Sequence, residues 1–284
     1  MKPSFLIEDS VFDEDINPII DAVRQQGFDY KVVKYQPFES GSYKELFPAD
    51  ACVVFYGSIN LARQLQRETN WIPGPICNFE MLRRSIYSQY YHPYLLDSEP
   101  IFMTWGLFKS LLRSRAKIIQ DKATIGKVFI APDTGLKTFT GQTIDILDYK
   151  FDLAYIDSRC RDENLIMVTT AAKMYHEYRL LVVDGKIITG TRYRWDGKLD
   201  PDSFVPQPVL DYANSMLTDT KGTFVPDIGF TLDFHMDNSN QVRLIECNAI
   251  SVSGWYQSDA NQAIEAISAV AIREWREYYN ENYN

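Results

Sequence analysis

Phe230-Thr231-Leu232-Asp233-Phe234-His235-Met236, the polar stretch Asp237-Asn238-Ser239-Asn240, and Val242-Arg243-Leu244-Ile245-Glu246-Cys247-Asn248 decide how this chain is read. Two apolar runs separated by turn-forming residues predict an antiparallel hairpin. Side chains alternate faces along a strand, so Glu246 and Asn248 share one face and Asp233 points at the same spot from the neighbouring strand. A carboxylate interrupting an apolar strand is costly unless something pairs with it, which favours a ligand role over a solvated one. An oxygen-only set suits a hard cation such as Mg²⁺, usually completed by water and nucleotide phosphates instead of a full protein cage. The hairpin therefore implies a nucleotide.

Outward from the hairpin, the 284-residue chain is ordinary globular material, 45% hydrophobic and 14% aromatic, and long enough for two or three lobes. Its net charge of -9 disfavours nonspecific binding to nucleic acid or an anionic membrane, both of which repel such a field. The opening Met1-Lys2-Pro3-Ser4-Phe5-Leu6-Ile7-Glu8-Asp9 turns acidic too early for a secretory signal, and no uncharged run approaches a membrane span. A cytoplasmic location is expected. Cys52, Cys77, Cys160 and Cys247 are scattered and only three histidines exist, so neither a disulfide framework nor a zinc site is expected. Cys247, alternating with the two ligands, should point into the core.

The first third alternates short apolar strands with helical stretches: Phe5–Glu8, a helix over Asn17–Arg24 ending near Gly27, Tyr30–Lys34, and Ala51–Tyr56 followed by a helix from Asn60 to Glu68. This βαβ order predicts a small parallel sheet. Gly57-Ser58 could cradle a phosphate at a helix N-terminus, but a plain strand-to-helix turn is the stronger reading without a full glycine fingerprint. The stretch 71–100 is rich in Pro, Tyr and turn residues, and Phe102–Lys117 reads as one amphipathic helix. A domain boundary is expected near Arg115. Beyond it come a strand at Val128–Ala131, a glycine-bracketed loop at Thr134–Gly141, a strand at Asn164–Val168, and a hairpin, Tyr178–Val183 turning at Asp184-Gly185 into Lys186–Gly190. Asn261–Tyr279 is a terminal helix with a core-facing apolar stripe.

The loop bearing Lys137, the Glu177-x-Arg179 strand, the Arg192 and Arg194 pair, and the closing Asp233 with Glu246-x-Asn248 together resemble the ATP-grasp superfamily of carboxylate–amine ligases. The resemblance covers roughly the last 170 residues. It implies an α/β N-terminal domain over 1–115, built on a small parallel βαβ sheet, and an ATP-grasp domain over 116–284. The latter would hold two α+β subdomains, about 116–172 and 173–284, that clasp a nucleotide. The interval between Asp233 and Glu246 and the Glu-x-Asn step look like those of the D-alanine–D-alanine ligases within the family, where these positions hold two Mg²⁺ ions of ATP, with Mn²⁺ an alternative. By the same resemblance Lys137 closes over the phosphates, the backbone at Thr170, Ala171, Ala172 and Lys173 takes adenine, and Glu177 reaches the ribose. Arg179, Arg192 and Arg194 hold the acyl phosphate or a substrate carboxylate, and Ser253, Gly254 and Tyr256 shape the acceptor pocket. The implied activity is ATP-dependent amide formation through an acyl phosphate on small-molecule or peptide carboxylates and amines, with release of ADP and phosphate. A phosphotransferase and a non-catalytic nucleotide-binding module are the alternatives.

Two departures stand out. Many relatives carry a lysine where this chain has Ala131, which leaves Lys137 to serve from six residues later, and Thr231 stands where some ligases have an arginine. A catalytic arginine must then come from another element. A second phosphate-binding lysine could be Lys109, Lys117 or Lys122. Trp195, Trp255 and Tyr256 hint at a sizeable or apolar acceptor.

Overall fold

The computed structural model describes residues 2–9, 11–36 and 43–283. The strands β1 (Ser4–Glu8), β2 (Asp29–Val33), β3 (Cys52–Tyr56) and β4 (Ile72–Gly74) form the expected parallel sheet, in the order β2-β1-β3-β4. Helix α1 (Asp13–Gln25) and helix α2 (Ile59–Glu68) supply crossovers. The α2 N-terminus is no phosphate cradle. Ser58 caps it, its Oγ accepting from the Leu61 N–H at 3.2 Å, and Glu8 takes the Ser58 N–H at 2.7 Å. The Glu8 carboxylate sits so close that a Cβ on Gly57 would lie 2.7 Å from Glu8 Oε2, so an anion already fills that corner. Within the Pro- and Tyr-rich stretch lies helix α3 (Arg84–Tyr91), which the sequence pattern did not reveal.

The second sheet runs β5-β8-β6-β7, all antiparallel: β5 (Ile101–Thr104), β6 (Lys127–Pro132), β7 (Gln142–Asp145) and β8 (Leu165–Thr170). Helices α4 (Trp105–Arg113), α5 (Lys117–Lys122) and α6 (Lys150–Asp157) accompany it. The single helix expected over 102–117 is therefore a strand and two helices. Ile101–Thr104 pair with β8, the Thr104 Oγ accepts from the Leu107 N–H to start α4, and Arg115 adopts a left-handed φ of 54° that ends the run. These elements precede the boundary expected at Arg115, yet Met103, Trp105, Phe108 and Leu112 share one core with Val128, Ile130, Ile144 and Ile166.

The third sheet, β11-β10-β9-β12-β13, is antiparallel: β9 (His176–Val183), β10 (Lys186–Trp195), β11 (Lys198–Asp202), β12 (Gly229–Met236) and β13 (Val242–Ala249), with α7 (Gln207–Asp219) before β12 and α8 (Ala260–Tyr283) closing the chain. Its two faces pack on the first unit. Tyr178, Leu180, Val182, Leu232 and Phe234 join Val53, Leu61, Leu65 and Tyr87 in one core. Leu181, Val183, Ile250 and Trp255 join Phe5, Ile19, Val23 and the α8 residues Ile264 and Ile267 in another. The first and third units are thus fused, while the middle unit has a core of its own. All four cysteines are free and buried, Cys247 among the core residues. Among the described residues no helix is long and apolar enough to cross a membrane.

Asp227, in the turn before β12, accepts the Asn78 N–H at 2.7 Å and the Ile228 N–H at 2.8 Å. Burial nevertheless pushes its carboxyl up to about 6. A raised carboxyl pKa means that the folded chain favours the neutral form, so this contribution is intact below the ordinary carboxylate range and lost as pH rises past about 6. Asp227→Asn is expected to gain on wild type as pH climbs from about 4 to about 6, with the difference constant above the folded pKa. Urea midpoints of both proteins across that range check it; parallel curves would show that Asp227 does not titrate between the two states.

Candidate active site

The second and third sheets face each other across a cleft of about 400 Å³. Phe129, Thr140, Gly141, Thr143, Thr169, Thr170, Ala172 and Met174 line one wall; Glu177, Arg179, Tyr193, Arg194, Asp233, Ile245, Glu246 and Tyr256 line the other. A cavity of about 260 Å³ joins it beneath the loop after β6, lined by Asp133, Thr134, Gly135, Lys137, Glu246 and Asn248. Arg84 lies at both.

The hairpin delivers its residues as the alternation requires. Asp233 stands opposite Glu246 and Thr231 opposite Asn248, and Arg179 on β9 flanks Asp233 on its other side. Between Asp233 and Phe234 the pairing slips by one residue, so Phe234 meets Leu244 and Ile245 is left over. This bulge turns Ile245 into the cleft beside Glu246 while Leu244 stays in the core.

Both carboxylates already hold guanidinium groups. Arg179 donates from Nε and Nη2 to the two Asp233 oxygens at 2.7 Å each, and from Nη1 to Gly254 O at 2.9 Å. Asp233 is 1% exposed; burial raises its pKa against the pull of Arg179. Arg179, expected to hold substrate, instead has its fork committed to positioning Asp233. Glu246 receives a short charge-assisted bond from Arg84 Nη2. Burial works to raise the Glu246 carboxyl, but the charges of Lys137 and Arg84 outweigh it and hold the group well below the usual carboxylate range.

Two carboxylates and the Asn248 amide form an oxygen donor set at the junction of the cleft and the cavity. The buried Asn248 amide lies beside Glu246, and its hydrogen bonding helps to hold that carboxyl down. Among the described residues no group of three or more His, Cys, Asp and Glu could hold a metal ion by itself. The set therefore fits a hard divalent cation whose remaining ligands come from phosphate oxygens.

Lys137 sits in the loop at a left-handed φ of 48°, four residues past Asp133, and its charge acts on both Glu246 and Asp233. Ala131 is fully buried, and a Cβ on Gly141 would lie 3.3 Å from its methyl and 2.6 Å from Phe129 Cζ. Closure of the loop onto β6 thus leaves no room for a long side chain at position 131. Glu177 accepts from Tyr193 Oη at 2.6 Å, and burial raises its pKa.

Several expected residues stand elsewhere. Arg192 does not reach the cleft: a bulge between residues 192 and 194 sets Arg192 opposite Tyr178 and Arg194 opposite Glu177, hence on opposite faces. Arg192 bonds Asp200 at 2.8 Å and lies over the Trp195 ring. Thr170 and Ala172 line the cleft, but Ala171 and Lys173 do not; the Lys173 ammonium lies 4.5 Å from the Tyr175 ring centroid, and the Thr170 N–H is taken by Asp97 at 2.8 Å. Ser253 is buried with its hydroxyl unpartnered, Gly254 serves through its carbonyl, and Tyr256 stacks on Tyr193 at 5.4 Å in the cleft. Trp255 is core, packed on Tyr56, and Trp195 stacks on His176, so neither shapes an acceptor pocket. Of the three lysines considered, Lys109 pairs with Asp157 and Asp162, Lys117 with Asp121, and Lys122 with Asp97. None of them lines the cleft.

Sequence reasoning missed Arg84 and Asp133. Asp133 accepts from Arg83 Nε and the Ser85 N–H, and its carbonyl takes the Arg84 N–H, which clamps the start of α3 to the end of β6. The Arg83-Arg84 doublet was the available signal, hidden in a stretch with no apparent periodicity.

Residues 109–266, more than half of the chain, match the family described as ATP-grasp domain, R2K clade family 2. The chain belongs to this ATP-grasp family. No curated protein sequence matches it. Among solved structures, the ATP-grasp chain is similar to D-cycloserine synthetase DcsG, with a TM-score of 0.64 and 13% identity over 95% of this chain and 99% of that one. It is similar also to D-alanine–D-alanine ligase from Bacillus anthracis, with a TM-score of 0.61 and 11% identity over 98% and 100%. A third similarity is to the ATP-grasp ligase PsnB complexed with minimal precursor, with a TM-score of 0.54 and 12% identity over 95% and 99%. At identities this low the likeness shows the shared fold alone, and the family match identifies that fold as ATP-grasp.

Proposed function

We propose that the protein joins a carboxylate to an amine at the expense of ATP, through an acyl phosphate. The observation that carries this reading is the meeting of Asp233, Glu246, Asn248 and Lys137 where the cleft opens into the cavity beneath the loop. Magnesium ATP, when bound, supplies the phosphoryl group that turns a carboxylate oxygen into a leaving phosphate.

The chain's own contribution is positioning and charge. Phe129, Met174 and Ile245 offer apolar surface for a flat base, and the Glu177 carboxylate, oriented by Tyr193, is set to accept from ribose hydroxyls. Asp233 and Glu246, with the Asn248 amide oxygen, would hold the divalent ion. Lys137 would neutralise phosphate oxygens from the loop that lines the cavity. Arg194 at the mouth of the cleft is suited to a substrate carboxylate, since a guanidinium fork matches it bidentately. Tyr256, between Tyr193 and the cleft, bounds the space left for the amine.

Incubation with ATP, Mg²⁺ and pools of amino acids or short peptides is expected to release ADP and phosphate and to yield a product lighter by water than its two precursors. Release of AMP and pyrophosphate would refute the acyl-phosphate route. A product that retains phosphate would mark a phosphotransferase instead.

A further inference from the structure

Of the arginines at the cleft, Arg179 is fixed by three hydrogen bonds and is 7% exposed. Arg84 is held differently. Its Nη1 donates to Tyr87 Oη at 3.0 Å and its Nη2 to Glu246, so among the described residues one carboxylate oxygen is its sole ionic tie. Its backbone, by contrast, is clamped: Arg84 and Ser85 both donate N–H groups to Asp133, at 2.8 and 2.7 Å. A long side chain on a clamped stem, lining both the cleft and the cavity under the Lys137 loop, can swing between neighbouring anions without moving the fold. Arg84 also lies outside the segment matched by the family, which begins at residue 109.

We propose that Arg84 is a placeholder cation at Glu246. It neutralises that carboxylate while no divalent ion is present, and it transfers to the oxygens of the phosphoryl group when the ion arrives with nucleotide. The inference rests on the metal and nucleotide assignment made above. A guanidinium and a divalent ion on the same carboxylate oxygen repel strongly, and Arg84, unlike Arg179 with its three bonds to Asp233 and Gly254, is tied to Glu246 through a single oxygen, so an ion that takes that oxygen displaces it. Deprotonation offers no way out, since arginine keeps its charge at any working pH. The displaced group then faces the phosphate oxygens that the ion brings, which a guanidinium binds as well as it binds a carboxylate. Arg84 thereby supplies the arginine that Thr231 does not, from a helix of the first unit.

The exchange has a signature that a merely structural arginine lacks. Arg84→Gln removes the competitor, so Mn²⁺ added alone, followed by electron paramagnetic resonance, is expected to bind about tenfold more tightly than in wild type. The same variant loses its phosphate contact, so the non-hydrolysable analogue AMPPNP with Mg²⁺ is expected to bind about tenfold more weakly. Arg84→Lys keeps the charge without the fork; Mn²⁺ affinity should stay near wild type while AMPPNP binding weakens, which keeps the idea testable if the glutamine variant fails to fold. Weakening of Mn²⁺ binding in either variant, or AMPPNP binding unchanged in both, overturns the placeholder role. Glu246→Gln in the same Mn²⁺ assay separates the two levels: if it leaves Mn²⁺ binding intact, the metal assignment itself falls, whereas loss of binding there with no gain in Arg84→Gln refutes only the exchange.

Discussion

Glu246→Gln is expected to lower Mg²⁺-dependent release of ADP by about 10²–10³-fold and, because it strips the counter-charge from the partly buried Arg84, to lower the melting transition as well. Glutamine keeps the shape and one oxygen but removes the charge that opposes Lys137 and Arg84. Two cations would then face each other across a neutral amide, and a divalent ion entering between them would meet net repulsion. Acidification cannot imitate the variant over ordinary working pH. The folded-state pKa of Glu246 is held below its usual value, so the associated stabilisation is present above the ordinary carboxylate range and fades only as pH falls below it. Coupled assay of ADP release alongside thermal melts checks the expectation, and near-normal turnover would remove Glu246 from the machinery.

Arg179→Met is expected to produce the largest loss of stability, about 3–5 kcal/mol in urea unfolding, because it leaves the Asp233 carboxylate uncompensated in the interior. The pair is 7% and 1% exposed, and each Asp233 oxygen loses a 2.7 Å bond. Relief would come from protonation of Asp233, already disposed that way by burial. The double change Arg179→Met with Asp233→Leu should recover most of the loss, since removing both charges removes the desolvation cost as well. If the single variant unfolds at the wild-type urea concentration, the bidentate contact is not the anchor described here.

The β12–β13 hairpin was legible because apolar runs of period two leave few places for a carboxylate, and Asp233, Glu246 and Asn248 share the face that alternation gives them. The parallel sheet was legible for the same reason: β1 and β3 are apolar and bounded by turn residues. What failed were local irregularities that a fixed period cannot express. One extra residue in β10 separated Arg192 from Arg194, which alternation had placed together. Thr104, an N-cap preceded by three apolar residues, divided what looked like one helix. Arg84 was invisible for a further reason: its value to the site arises from a contact 162 positions away in sequence, with Glu246, and no local pattern encodes such a meeting.

The fused cores of the first and third units bear on what counts as the smallest working form of this protein. The family's own boundary at residue 109 cuts through material that the last sheet needs on both sides: Phe5, Val53, Leu61 and Tyr87 cover Leu180, Leu181, Leu232 and their neighbours. A fragment trimmed to the recognisable segment would expose a greasy sheet to solvent and lose Arg84, the partner of Glu246. The piece that carries the signature is shorter than the piece whose cores close, so a working fragment has to begin well before the recognisable segment.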